Sequence, residues 1–78
     1  MVINRKISYL SVKELCLLFN QYDLEFDVHD NHRVVDGKSL LGLYTLNFNN
    51  NLRIHIIGSE NEIEKFILEI DKKEKLQI

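Results

Sequence analysis

The spacing of apolar residues most constrains the fold of this chain, because it changes repeatedly between the period of a strand and that of a helix. Leu24, Phe26 and Val28 alternate with charged or polar residues, which predicts a strand with one buried and one exposed face. In residues 63–70 the apolar residues instead recur every three or four positions, which predicts an amphipathic helix. A chain with both periods needs a sheet and helices that share one core.

Seven elements follow from these periods, in the order β-α-β-β-α-β-α. Ser11 and Ser59 each precede a glutamate by three residues, which is the capping box that satisfies free amides at a helix start. The predicted strands span residues 2–9, 24–29, 33–36 and 52–57. One predicted helix begins after Ser11, the second spans residues 40–47, and the third begins after Ser59. The strand residues expected to face the core are Ile3, Ile7, Tyr9, Ile54 and Ile56. We therefore predict an α+β fold of two layers, an antiparallel four-stranded sheet with helices on one face.

Composition limits the chain to one small domain, residues 1–78, and excludes several functions. The net charge of −2 argues against sequence-independent nucleic acid binding, which needs a basic face. Cys16 is the only cysteine, so an internal disulfide and a cysteine-cluster zinc site are excluded. No apolar run reaches the roughly 18 residues of a membrane span, and no signal peptide is recognisable. We expect a cytoplasmic protein without membrane contact.

The residues that commonly carry catalysis lie in patterns that indicate no active site. His29 and His55 occupy outward strand positions and His32 lies in a turn, without the spacing of metal ligands. Cys16 lies on the apolar stripe of the first helix, so a buried, unreactive thiol is expected. The acidic residues Asp23, Glu25 and Asp27 belong to a solvated strand face, and Gly37, Gly42 and Gly58 are isolated rather than grouped in a phosphate-binding loop. We assign no catalytic residue, metal ligand or cofactor.

The predicted second helix carries more apolar residues than one face of a short helix can bury. One part of this set suits the core. The remainder either forms an exposed apolar patch, which would mark a partner-binding surface, or is buried under the neighbouring helices. The core set is Leu43, Leu46 and Phe48, and the remainder is Leu40, Leu41 and Tyr44.

Ser39 lies at the start of this helix, and its role there has two interpretations. As an N-cap, its hydroxyl would accept a hydrogen bond from a helix amide, which is worth about 1 kcal/mol. As a phosphorylation site, it would place roughly −1.5 to −2 charges where helix amides favour an anion, beside the apolar residues. A phosphoserine would thus change what docks there.

The segment around Ser39 resembles the regulatory segment of HPr, the histidine-containing phosphocarrier of the bacterial sugar phosphotransferase system. The family pattern there is Lys-Ser, two apolar residues, Gly and a further apolar residue. It is matched by Lys38, Ser39, Leu40, Leu41, Gly42 and Leu43. The element order also resembles that of the family from about Val12 onward. The resemblance implies an HPr-like open-faced β-sandwich.

The chain departs from that family at the site of phosphotransfer. HPr-type carriers accept phosphate on a histidine in a Gly-Leu/Ile-His-Ala-Arg-Pro loop between the first strand and the first helix, where the imidazole is the nucleophile. Residues 7–12 stand in this place, contain no histidine, arginine, glycine or proline, and form a shorter connection. Ser8 or Ser11 would not replace the imidazole, because a serine phosphate ester transfers its group far less readily. Phosphocarrier activity is therefore not expected.

The chain is similar to Crh-type members of the family, which lack this histidine and keep the regulatory serine. That resemblance implies a regulator of the catabolite-repression type, phosphorylated on Ser39 by HPr kinase/phosphorylase and bound by a LacI-type repressor. The residues expected to contact the partner are Lys38, Leu40, Leu41 and Tyr44. The resemblance also implies that two copies can form a homodimer by exchanging the first strand. Two other hypotheses stay open: a small α/β ligand-binding or dimerisation module with no phosphorylation role, and a phosphocarrier that uses an unexpected residue.

Overall fold

The computed structural model describes residues 1–76 and contains the seven predicted elements in the predicted order. The α+β prediction with a four-stranded antiparallel sheet is confirmed. In that part of the chain, no helix is long and apolar enough to cross a membrane. The strands are β1 (Val2–Arg5), β2 (Glu25–His29), β3 (Val34–Asp36) and β4 (Leu52–Ile57), and the helices are α1 (Val12–Asn20), α2 (Leu40–Tyr44) and α3 (Glu60–Lys75).

The sheet has the strand order β1-β4-β2-β3, so the last strand in the sequence lies between the first strand and the β2–β3 hairpin. All neighbouring strands are antiparallel. Ile54 of β4 lies opposite Ile3 of β1 on one side and opposite Val28 of β2 on the other. These apolar residues of β4 and β2 are fully buried, which suits the two strands to the centre of a sheet.

The helices pack on one face of the sheet and share a single core with it. Three phenylalanines form the centre of that core, one each from α1, β2 and α3. The ring centroids of Phe19 and Phe26 are 4.5 Å apart, and those of Phe26 and Phe66 are 4.7 Å apart. Within residues 1–76, no helix covers the opposite face of the sheet. It carries the exposed side chains Val2, Asn4, Glu25, Asp27, Arg53 and Ile57.

The two predicted capping boxes differ in the structure. At α1, Ser11 Oγ accepts a hydrogen bond from the Glu14 amide at 3.1 Å, and the Glu14 carboxylate accepts one from the Ser11 amide at 3.4 Å. At α3, Ser59 Oγ accepts from the Glu62 amide at 3.3 Å. The Glu62 carboxylate lies instead 3.4 Å from Lys65 Nζ, one turn along the helix. Ser59 therefore caps α3, with an ion pair in place of the reciprocal bond.

The prediction that the first strand reaches residue 9 was wrong, because β1 ends at Arg5. Arg5 pairs with Leu52, the first residue of β4, so residues 6–9 have no neighbouring strand on that side. Ile7 is nevertheless fully buried. The apolar pattern correctly identified a core residue but not its backbone conformation.

The prediction that the second helix reaches residue 47 was also wrong, because α2 ends at Tyr44. The backbone amide and the hydroxyl of Thr45 both donate to the Gly42 carbonyl, at 3.0 and 2.7 Å. The Asn47 amide donates to the Asp30 carboxylate at 2.9 Å. These side-chain acceptors and donors stop the helix after little more than one turn.

We predict that Phe66→Leu lowers the free energy of unfolding by about 1–2 kcal/mol, because it removes the aromatic ring that contacts both other core phenylalanines. Urea unfolding followed by circular dichroism measures the change. Leu68→Ala is the matched control, since Leu68 lies on the same helix with its side chain 71% exposed. The control should change stability by less than about 0.5 kcal/mol. Equal losses in the two variants would contradict this account of the core.

Candidate functional site

Ser39 connects β3 to α2 and caps that helix, as one of its two interpretations predicts. Its hydroxyl accepts a hydrogen bond from the Gly42 amide at 3.2 Å, and its carbonyl accepts from the Leu43 amide at 3.0 Å. Its own amide donates to the Asp36 carbonyl at 3.0 Å. The side chain is half-buried. The N-cap prediction is confirmed, and phosphorylation of Ser39 stays a prediction.

Gly42 lets the first turn of α2 lie close to β3. A Cβ atom built on Gly42 would lie 3.1 Å from Val35 Cβ and 3.3 Å from Ser39 Oγ. Both distances are shorter than ordinary van der Waals contact, so a side chain at this position would require Val35 or Ser39 to shift by a few tenths of an ångström. The glycine of the HPr-like segment therefore has a packing reason in this chain.

Lys38, which sequence analysis assigned to partner binding, is half-buried and held by the end of α1. Its ammonium group donates to the Tyr22 carbonyl at 2.9 Å, just beyond that helix. Its carbonyl accepts from Asn20 Nδ2 at 3.3 Å, and Cys16 Sγ lies 3.6 Å from the same oxygen. Lys38 thus joins α1 to the start of α2, and the half-buried Cys16 thiol is part of that junction.

The apolar residues of α2 divide between the core and the surface. Of the three residues assigned to the core, Leu43 is fully buried and Leu46 is 7% exposed, whereas Phe48 is half-buried and packs against the core. Leu41 and Tyr44 are 82% and 59% exposed, whereas Leu40 is half-buried. We call Leu40, Leu41 and Tyr44 the α2 surface. Leu41 and Tyr44, one turn apart on a helix of five residues, are therefore not buried under the neighbouring helices, and partner binding at this surface stays a prediction.

The histidines lie away from Ser39 and from the start of α1. His29 and His55 face the uncovered side of the sheet, where their rings stack with centroids 4.2 Å apart. His32 is exposed in the β2–β3 turn. Strand alternation predicted the outward positions of the first two, but it could not predict their contact, because that depends on which strands are neighbours. Across residues 1–76, no group of three or more His, Cys, Asp or Glu side chains is placed to hold a metal ion.

Asp30 is the organising residue that sequence analysis missed. Its carboxylate is 6% exposed and accepts hydrogen bonds from the His32 and Arg33 amides, each at 2.7 Å, and from the Asn47 amide at 2.9 Å. These backbone bonds favour the ionised form and lower the pKa of Asp30 below its ordinary value. Sequence analysis predicted a turn around His32, but the third bond joins residues 17 positions apart. Asp30 therefore fixes both the hairpin and the chain that leaves α2.

We predict that Asp30→Asn lowers stability at pH 7, because an amide group cannot accept three hydrogen bonds at its two atoms. In the native protein, the lowered pKa of Asp30 adds stability that is complete above the unfolded value of about 3.9 and is lost as pH falls through the folded value. The variant should thus lose less stability than the native chain between pH 5 and pH 2.5, as urea midpoints would measure. Asp23→Asn, at an exposed position, is the control. An unchanged acid dependence in Asp30→Asn would contradict the assignment.

We predict that Lys38→Met lowers the free energy of unfolding by about 1 kcal/mol, because the Tyr22 carbonyl loses its charged donor while the apolar stem is kept. Urea unfolding measures the change. Lys13→Met is a suitable control, since Lys13 is exposed on α1. If the two variants have the same stability, the bond from Lys38 does not stabilise the junction.

Comparison with known proteins adds no relative to this description. No protein-family model, curated protein or solved structure matches the chain. The resemblance to HPr-type proteins therefore rests on residues 38–43 and on the element order, and every function drawn from it is a proposal.

Proposed function

We propose that this chain is an HPr-like regulatory protein without phosphocarrier activity, which acts through contacts at the α2 surface and through phosphorylation of Ser39. The observation that carries the proposal is the position of Ser39, which caps α2 within two residues of the 82% exposed Leu41. A modification there and a partner bound there would act on the same few residues.

The fold supports this proposal. A four-stranded antiparallel sheet with three helices is compatible with the two-layer HPr-like fold, and residues 38–43 resemble the family's regulatory segment. The connection between β1 and α1 spans residues 6–11 and carries no histidine. We infer that the chain keeps the regulatory role of that family and lacks its phosphotransfer role.

Phosphorylation would act through charge and through the helix cap. A phosphoryl group on Ser39 Oγ would add roughly −1.5 to −2 charges beside the Gly42 amide, which the hydroxyl now binds at 3.2 Å. It would also change the rim of the α2 surface from polar to anionic. A partner that docks apolar groups on Leu41 and Tyr44 and a cationic group on the phosphate would therefore distinguish the two forms.

The partners that fit this scheme are those implied by the family. HPr kinase/phosphorylase would modify Ser39, and a LacI-type repressor would bind the phosphorylated form in the cytoplasm. Lys38 would act by positioning α2, because its ammonium group is already bound to the Tyr22 carbonyl. Pairing of two copies by exchange of β1 is a separate prediction, which this scheme does not require.

The test is incubation with purified HPr kinase/phosphorylase and ATP, followed by intact mass spectrometry. We expect one phosphate on the native chain and none on Ser39→Ala. Ser11→Ala and Ser59→Ala are matched controls, because these serines cap α1 and α3 in the same way and their loss costs a similar amount of about 1 kcal/mol. Both controls should still accept one phosphate.

Two results would contradict the proposal. The first is no incorporation under conditions that modify an authentic HPr, which would favour a ligand-binding or dimerisation module. The second is acid-labile phosphate on a histidine after incubation with enzyme I and phosphoenolpyruvate, which would identify the chain as a carrier. If Ser39→Ala still accepted one phosphate, the regulatory role would stand, but a residue other than Ser39 would be the phosphorylation site.

A further inference from the structure

The uncovered face of the sheet carries a pair of imidazoles at its centre. His29 lies on β2 and His55 on β4, the two inner strands, and the rings stack with centroids 4.2 Å apart and planes inclined by 30°. Both side chains are half-buried although no helix covers this face. We call these two residues the imidazole pair. It is a direct side-chain contact between the strands that hold the sheet together.

The strand register explains the contact. His55 lies opposite Asp27, and His29 lies opposite Arg53, so the two histidines are diagonal neighbours on one face. Diagonal positions of an antiparallel pair are within reach of ring side chains. A shift of one residue in this register would place one histidine in the core, so the pair exists only in the native pairing of β2 with β4.

The charges that act on His29 oppose its protonation more than they support it. Arg53 is directly across from His29, and each imidazole would become a like charge for the other. Asp27 lies across from His55 and favours protonation of the pair. On its other side, Asp27 lies opposite Asp36. Glu25 lies at the far end of β2. On this face, β3 also contributes the charged Asp36, whereas the flanking residues Val2, Asn4 and Val34 are uncharged.

We propose that the imidazole pair is a pH-sensitive contact between β2 and β4, which is stacked when both rings are neutral and weakened when both are protonated. Burial, His55 and Arg53 lower the pKa of His29, while Asp27 raises it by less. A positive charge on His55 therefore opposes protonation of His29, whose ring it contacts. The contact should therefore weaken as the pH falls below the ordinary histidine value of about 6.5.

The position of His29 determines which part of the structure this weakening should affect. His29 is the last residue of β2, and the next residue is Asp30. The Asp30 carboxylate binds the Arg33 amide in the turn and the Asn47 amide after α2. Loosening the end of β2 should therefore weaken the bond to Asn47, which joins the hairpin to the chain leaving α2. This inference does not depend on the proposed function.

The test combines a histidine titration with amide hydrogen exchange, both by nuclear magnetic resonance on the full chain. In the native protein, we expect the pKa of His29 to lie below the ordinary histidine value of about 6.5. His55→Gln should raise the pKa of His29, because a neighbouring positive charge is removed. Between pH 7 and pH 5, exchange protection of the Asn47 amide, corrected for intrinsic rates, should fall about tenfold in the native chain and less in His55→Gln.

His32→Gln is the matched control: it removes an exposed histidine from the adjacent turn but keeps the backbone amide that binds Asp30, so the titration of His29 should stay as in the native chain. A titration of His29 that His55→Gln does not alter would overturn the proposal. So would protection of Asn47 that is constant over this pH range. If His55→Gln does not fold, two other measurements decide the same question. They are the titration of the native chain and the signal of His55 in the variant His29→Gln.

Discussion

The antiparallel pairing of β2 with β4 is the interaction on which the rest of the structure depends. It brings the buried Phe26, Val28, Ile54 and Ile56 into one apolar layer, against which the three helices pack. It also inserts the last strand between the first strand and the hairpin, so β1 has a partner only when β4 is in place. On the uncovered face, the same register stacks His29 on His55. A single strand pairing therefore determines the core and a polar contact on the opposite surface.

Short polar links then attach the loops and α2 to that sheet. Asp30 binds three backbone amides in the hairpin and after α2, and Lys38 joins the end of α1 to the start of α2. Gly42 allows α2 to lie against β3. With its position fixed in this way, a helix of five residues can keep Leu41 and Tyr44 exposed while Leu43 is buried. Tertiary contacts hold this short helix in place, because a single turn is not stable by itself.

Sequence periodicity predicted the order of the elements and most of the core, since alternation in β2 and β4 and the stripe of α3 follow directly from which residues are apolar. It also predicted the serine caps of α1, α2 and α3, because capping depends on a side chain and an amide three residues apart. Its errors lay where distant residues decide the outcome. β1 ends where its partner strand begins, and α2 ends where Thr45 and Asp30 take up the amides and carbonyls that a longer helix would use.

For the candidate site, the sequence by itself determined that Ser39 begins a helix beside apolar residues and that the β1–α1 connection has no histidine. Only the tertiary structure decided that Leu41 and Tyr44 are exposed, that the ammonium of Lys38 is bound to Tyr22, and that two histidines from different strands meet. The physical reason is the range of the interactions. Caps and periodicity act over three or four residues, whereas exposure and cross-strand contacts depend on pairings between segments more than 15 residues apart.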